Sequence, residues 1–137
     1  MSKVYDASAL LAILNDEIGQ NAVIAHLATS EECLISAANW AEVASKLADR
    51  GESPAEIESG LAAFGLEVVP LDASLALAAG ALRPITKSIG LSLGDRCCVA
   101  LAALRGAEII TGERIWAQLP KLSEIPAIKQ LKITQIR

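Results

Sequence analysis

The sequence predicts a three-layer α/β/α sandwich around a central, mostly parallel sheet. Short β-prone runs alternate with longer helical ones along the chain, as in folds where helices cover both faces of a parallel sheet. Serine, aspartate, proline and glycine punctuate the runs at the positions where helices start and stop.

Taken in order, Lys3–Asp6 reads as the first strand. Ser8 stands before the apolar stretch Ala9–Leu14 and reads as a helix cap, and a second helical piece over Asn21–Ala28 follows Gly19. Glu32–Ser36 is the second strand. Ala38–Arg50 is an amphipathic helix closed by Gly51. Pro54–Phe64 is a helix with proline in its first turn, closed by Gly65, and Glu67–Pro70 is the third strand. Asp72 caps a helix running to Leu82. Gly94–Leu104 is a helix that Gly106 closes, and Ala107–Thr111 is the fourth strand. Glu113–Leu119 is a short helix, and Leu131–Ile136 alternates apolar and polar residues as a last strand. With 137 residues, residues 1–137 are expected to form a single domain.

Composition narrows the function classes. Aliphatic residues dominate and aromatics make up 3%, so the core is expected to be aliphatic. Cys33, Cys97 and Cys98 form no CxxC or Cys/His metal spacing and read as buried, reduced thiols. A carboxylate at Asp6 interrupts the opening residues where a signal peptide needs an apolar stretch. The apolar runs Ala7–Leu14 and Cys97–Leu104 are short of the ~20 residues of a membrane span. A soluble, cytoplasmic protein with no membrane partner is expected. The net charge of −4 argues against a protein that coats nucleic acid by charge alone. It leaves room for a nuclease, whose acidic residues lower the charge themselves.

Three acids fall at or after strand ends, and a fourth opens a helix. Asp6 closes the first strand, Glu42 lies one to two turns into the helix after the second, Asp95 is in the first turn of its helix, and Glu113 follows the fourth strand. In parallel sheets ligands sit beyond the carboxyl ends of the strands, so all four could face one edge. Each also has a structural explanation. Asp95 and Glu113 stand near helix N-termini, where a carboxylate is stabilising. Glu42 follows Asn39 at capping-box spacing, and Asp72 is an N-cap. Asp6 is harder to explain so, because acids at the end of a buried strand are rare unless paired or metal-bound. Two carboxylates ~6 Å apart repel by roughly 3 kcal/mol at an effective dielectric of about 20. A cluster of four must therefore take up protons or divalent cations. All-oxygen donors select Mg²⁺ or Mn²⁺ over Zn²⁺.

The segments around these acids resemble PIN-domain ribonucleases, most closely VapC-type toxins of toxin–antitoxin systems. Val4-Tyr5-Asp6-Ala7-Ser8-Ala9-Leu10-Leu11-Ala12 is similar to the family's opening strand and first acid. Ile35–Val43 resembles the second acidic motif, Leu91–Arg96 with Ala100-Leu101-Ala102 the third, and Thr111–Trp116 the fourth. The family usually carries Asp where this chain has Glu113; the longer side chain implies reach through a water or a shifted metal.

The resemblance implies Mg²⁺-dependent (or Mn²⁺-dependent) endonucleolytic cleavage of RNA. Asp6 and Asp95 would hold the metal and Glu42 and Glu113 would complete the catalytic set. Ser8 and Thr111 would orient carboxylates or water, with helix capping the alternative for Ser8. Arg96 and Arg114 are candidates for flanking phosphates, and Lys46, Arg50, Arg83 and Lys87 for the approach. Trp40 could stack a base or pack; Trp116 anchors its helix to the core. His26 reads as structural or exposed. The resemblance also implies a cognate antitoxin and a homodimer, for which Leu10, Leu14 and Leu61 could offer an apolar face.

Two other readings compete. A phosphoacceptor signalling domain would want adjacent acids after the first strand and a late lysine, neither of which is present. A catalytically silent protein- or RNA-binding module remains open.

Overall fold

The computed structural model describes residues 1–29 and 32–137. Five strands, β1 (Ser2–Tyr5), β2 (Glu32–Ser36), β3 (Glu67–Val69), β4 (Glu108–Thr111) and β5 (Ile133–Gln135), form one sheet of order β3-β2-β1-β4-β5. Every neighbouring pair is parallel. The chain adds strands outward from β1 on one side, then returns with β4 on the other. The order therefore reverses between β1 and β4, where a doubly wound sheet opens a crevice at its carboxyl edge. Registers of Val4 with Ile109 and Tyr5 with Ile110 bring the ends of β1 and β4 level.

Alternation along the strands divides the core into two layers. Tyr5, Ile35 and Ile110 pack with Leu10, Val23, Val43 and Leu47. Those residues come from helices α1 (Ala7–Leu14), α2 (Gln20–Thr29) and α3 (Ala37–Asp49), with Leu61 of α4 (Pro54–Ala62) beside them. Val4, Leu34 and Ile109 face the opposite way, onto Leu75, Leu82, Leu101 and Ile128. These lie on or beside α5 (Ala73–Ala81), α7 (Leu93–Arg105) and α8 (Pro126–Lys129); α6 is the single turn Arg83–Thr86. Helix α7 is buried from Cys97 through Ala102, as an almost uniformly apolar helix must be. The three-layer α/β/α sandwich is therefore present, with every described strand pair parallel. Among the described residues no helix is long and apolar enough to cross a membrane.

Local chemistry sets the boundaries, and three expectations need correction. The first strand stops at Tyr5, and the cap of α1 is Asp6, whose side chain accepts from the Ala9 amide at 2.9 Å. Ser8 already lies inside the helix. Asn39 does not cap α3: Ser36 does, accepting from the Asn39 amide. The segment after Glu113 is a 3₁₀ helix, Arg114–Lys121, carrying Pro120, whose missing N–H suits poor helical geometry. Helix α6, the 3₁₀ turn Lys87–Ile89 and α8 carry no signal in the sequence. Each is too short to show a period.

Candidate functional site

Asp6 anchors the site. It follows β1 at the crevice and is 2% exposed. Its carboxylate accepts from the Ala9 amide, from Ser8 Oγ at 2.7 Å and from Thr111 Oγ1 at 2.6 Å. Thr111 ends β4, so one short bond ties the two strands together across the switch point. Ser8 Oγ also accepts from the Gly112 amide at 2.8 Å, and Thr111 Oγ1 from the Glu113 amide at 3.0 Å. Both hydroxyls are thus locked between Asp6 and the turn that carries Glu113. Despite these donors, burial pushes the Asp6 carboxyl up from 3.8 to about 6, and the charge of Asp95 adds to the rise.

Glu42 is seated by a second network. Ser36 Oγ donates to Asn39 Oδ1 at 2.7 Å, and the fully buried Asn39 donates from Nδ2 to Glu42 Oε2 at 2.9 Å and to the Gly94 carbonyl at 3.2 Å. Asn39 thus joins α3 to the start of α7. The Glu42 carboxylate lies directly over Gly94, where a Cβ would stand 2.4 Å from Oε1. Only glycine leaves that space. Asp95 is the next residue, and one of its oxygens accepts from the Ser92 amide at 2.9 Å while Ser92 Oγ accepts from the Asp95 amide. This reciprocal box starts α7 and points the acid toward the sheet edge.

Asp6, Glu42, Asp95 and Glu113 line one cleft of about 360 Å³, together with Ser8, Leu11, Ser45 and Lys46. Among the described residues no three His, Cys, Asp or Glu side chains stand in geometry to ligate one ion. The donor set nonetheless fits Mg²⁺, which keeps several of its waters and takes few carboxylates directly. Buried Asp6 with a raised carboxyl is an acid that a cation would relieve.

The other expected residues are placed as follows. Thr111 and Ser8 act on Asp6, so the capping alternative for Ser8 falls away. Arg96 turns to α5, donating to the Ala79 carbonyl at 3.2 Å with its Nε buried. It is therefore not a cleft residue, because α7 places successive side chains on different faces. Arg114 is exposed and donates from Nε to the Arg137 carbonyl. Lys46 lines the cleft; Arg50, Arg83 and Lys87 are exposed and line no part of it. Trp40 is half-buried against the core, and Trp116 is buried. His26 meets Lys3 Nζ at 2.8 Å. Cys33, Cys97 and Cys98 are free thiols; Cys97 and Cys98 are buried, Cys33 partly so. Leu10 and Leu61 are buried core residues, and Leu14, half-buried, packs against that core. Leu104 and Ile125 are exposed at an apolar groove of about 310 Å³ beside α5.

Sequence reasoning missed the roles of Asn39 and Gly94. The signal was there: glycine in the first turn of a helix is disfavoured unless something needs its space.

Comparison with known proteins identifies the family and the fold. The family model for the PIN domain matches residues 3–122. A toxin–antitoxin complex from Klebsiella pneumoniae is similar at TM-score 0.71 and 19% identity, covering 98% of each chain. VapBC2 from Rickettsia felis bound to a DNA fragment from their promoter follows at 0.69 and 17%, again over 98% of both chains. DNA-bound VapBC from Salmonella typhimurium is similar at 0.66 and 18%, over 100% of this chain and 99% of that one. No curated protein sequence matches the chain closely enough to count as a relative. A family model that spans the first strand, all four acids and the 3₁₀ helix beyond them makes this chain a member of the PIN domain family.

Proposed function

We propose that this protein is a divalent-cation-dependent endoribonuclease and the toxin half of a VapBC-like toxin–antitoxin pair. The observation that carries the reading is the gathering of four carboxylates around one cleft at the β1/β4 switch point, with the deepest of them buried and its carboxyl raised. The solved structures named above are toxin–antitoxin complexes, which supports the biological half of the reading.

Asp6 and Asp95 would hold Mg²⁺ or Mn²⁺, with Glu42 and Glu113 completing the shell directly or through water. A cation held there would supply Lewis acidity toward water and phosphate. The chain's own residues do the rest. Thr111 and Ser8 hold the Asp6 carboxylate in one orientation by donating to it. Asn39 donates to one oxygen of Glu42 and so seats the carboxylate over Gly94, from where Glu42 would accept a proton from water. Glu113 is exposed at the rim of the cleft. Arg114 lies beside Glu113 for a flanking phosphate. A cognate antitoxin and a homodimer complete the proposal, in a cytoplasmic setting.

The test is cleavage of a structured RNA by the purified protein with Mg²⁺ or Mn²⁺, stopped by EDTA and abolished in Asp6→Asn and Asp95→Asn. Unchanged cleavage by either variant refutes the mechanism. RNA binding without cleavage by the wild type would favour the silent-module reading.

A further inference from the structure

An acidic cleft that takes up an RNA strand needs a cation of the chain's own in its wall. Two helices build the walls beyond Asp6. Helix α1 brings Ala7, Ser8 and Leu11, and α3 brings Glu42, Ser45 and Lys46. Both helices start at the carboxyl edge of the sheet and run away from it. Leu11 and Lys46 therefore stand one turn, about 6 Å, beyond Ala7 and Glu42. Among the described residues that line the cleft, Lys46 is the only lysine or arginine.

The fold also keeps this cation from the acid best placed to neutralise it. Glutamate at i with lysine at i+4 is the favoured order for an ion pair on one helix face. Glu42 and Lys46 have that order, yet no ion pair among the described residues includes either one. Asn39 is the reason. Its Nδ2 donates to Glu42 Oε2 at 2.9 Å, and the carboxylate lies over Gly94 of α7. Ser45, the other polar side chain of this turn, is turned back on its own helix, donating to the Ala41 carbonyl at 2.7 Å. The acid is thus drawn toward the other carboxylates, and an exposed ammonium is left in the cleft wall.

We propose that Lys46 is a substrate-positioning residue that binds the RNA phosphate next to the scissile one, where the strand leaves the acids between α1 and α3. The proposal rests on the nuclease reading above. An ammonium is a point charge with rotatable donors, which suits a contact that positions the backbone and reads no base. The rival role is a counter-charge: Lys46 would merely offset the repulsion among the four carboxylates and touch no RNA.

The experiment sets Lys46→Gln against Lys87→Gln, which removes the same charge from an exposed position outside the cleft. Affinity for a fluorescein-labelled single-stranded RNA is measured by anisotropy against salt, in the non-cutting Asp6→Asn background. KM and kcat are measured in the otherwise wild-type chain. Lys46→Gln should weaken binding about ten-fold, lower the salt slope by about 0.7 for one lost phosphate contact, and raise KM with kcat nearly unchanged. Lys46→Arg should keep the slope and KM of the wild type, and Lys87→Gln should match the wild type throughout. A lower kcat in Lys46→Gln with slope and KM unchanged makes it a counter-charge and overturns the positioning role. Equal slope losses in Lys46→Gln and Lys87→Gln also overturn it, and in both cases the nuclease reading stands. A wild type that neither binds nor cuts RNA overturns both.

Discussion

Replacing Gly94 by alanine should separate activity from stability. The new Cβ would stand 2.4 Å from Glu42 Oε1, 2.7 Å from Cδ and 2.9 Å from Oε2, where ordinary contact begins near 3.4 Å. The obstacle is the helix backbone, so the carboxylate must retreat by about 1 Å, and a misplacement of that size at a reacting centre costs on the order of 10²-fold in rate. The retreat also stretches the 2.9 Å bond from Asn39. A half-exposed hydrogen bond of that kind contributes about 1 kcal/mol. Alanine in place of glycine returns about 0.4–1 kcal/mol by restricting the unfolded chain. Stability should therefore stay within about 1 kcal/mol, a Tm change of no more than ~4 °C for a domain of this size, while kcat for RNA cleavage falls about a hundred-fold. Thermal melts and initial rates measure the two arms. A double-mutant cycle tests the cause: Gly94→Ala should cost nothing further in a Glu42→Ala background, because the displaced group is gone. Wild-type kcat in Gly94→Ala, or full additivity with Glu42→Ala, refutes the idea that Gly94 exists to seat Glu42.

Asp6 supplies a pH prediction. Its folded carboxyl, at about 6, lies above the usual 3.8, so the folded state binds the proton more tightly. This group's contribution to stability falls as pH rises between those values and stays lower above them, by about 3 kcal/mol. In EDTA, the stability gain of Asp6→Asn over wild type in urea should grow by about 2 kcal/mol from pH 4 to 7.5; a gain that shrinks would reverse the sign of the argument. Mg²⁺ should raise the Tm of the wild type and leave Asp6→Asn unmoved, and an equal rise in both would place the ion elsewhere. Thr111→Val strips Asp6 of a donor and leaves the Glu113 amide without its acceptor. It should destabilise by about 1–3 kcal/mol and move the acidic limb of the cleavage pH profile upward, so a profile that moves down would contradict the proposed support. Burial raises the thiols of Cys97 and Cys98. Titration with a thiol reagent should find at most one reactive cysteine in the native protein and three in denaturant; fast reaction of two or more native thiols would contradict the burial.

Local chemistry in the chain is enough to write down most of this architecture. The alternation of apolar runs with capped helices specified a parallel sheet, because helices that cross between parallel strands cover the faces of the inner ones. Glu32–Ser36, Asp72 and Gly106 stand in the structure where their types require. The four acids were legible through their segments: Asp6 and Glu113 adjoin the ends of β1 and β4, and Glu42 and Asp95 lie in the early turns of α3 and α7. What stayed hidden depends on side chains meeting across long separations. Ser8 looks like a cap until Asp6, one turn boundary earlier, is seen to take that role and Gly112 to claim its hydroxyl. Arg96 looks like a cleft cation until helix rotation carries it to Ala79. Glu17 and Arg137 form an ion pair across 120 positions, and Gly94 shows its purpose only beneath Glu42. Periodicity and capping are properties of neighbouring residues and are written in order along the chain. The hydrogen bonds that aim a carboxylate, and the empty space it needs, belong to tertiary packing, which alone decides which distant atoms share a few ångströms.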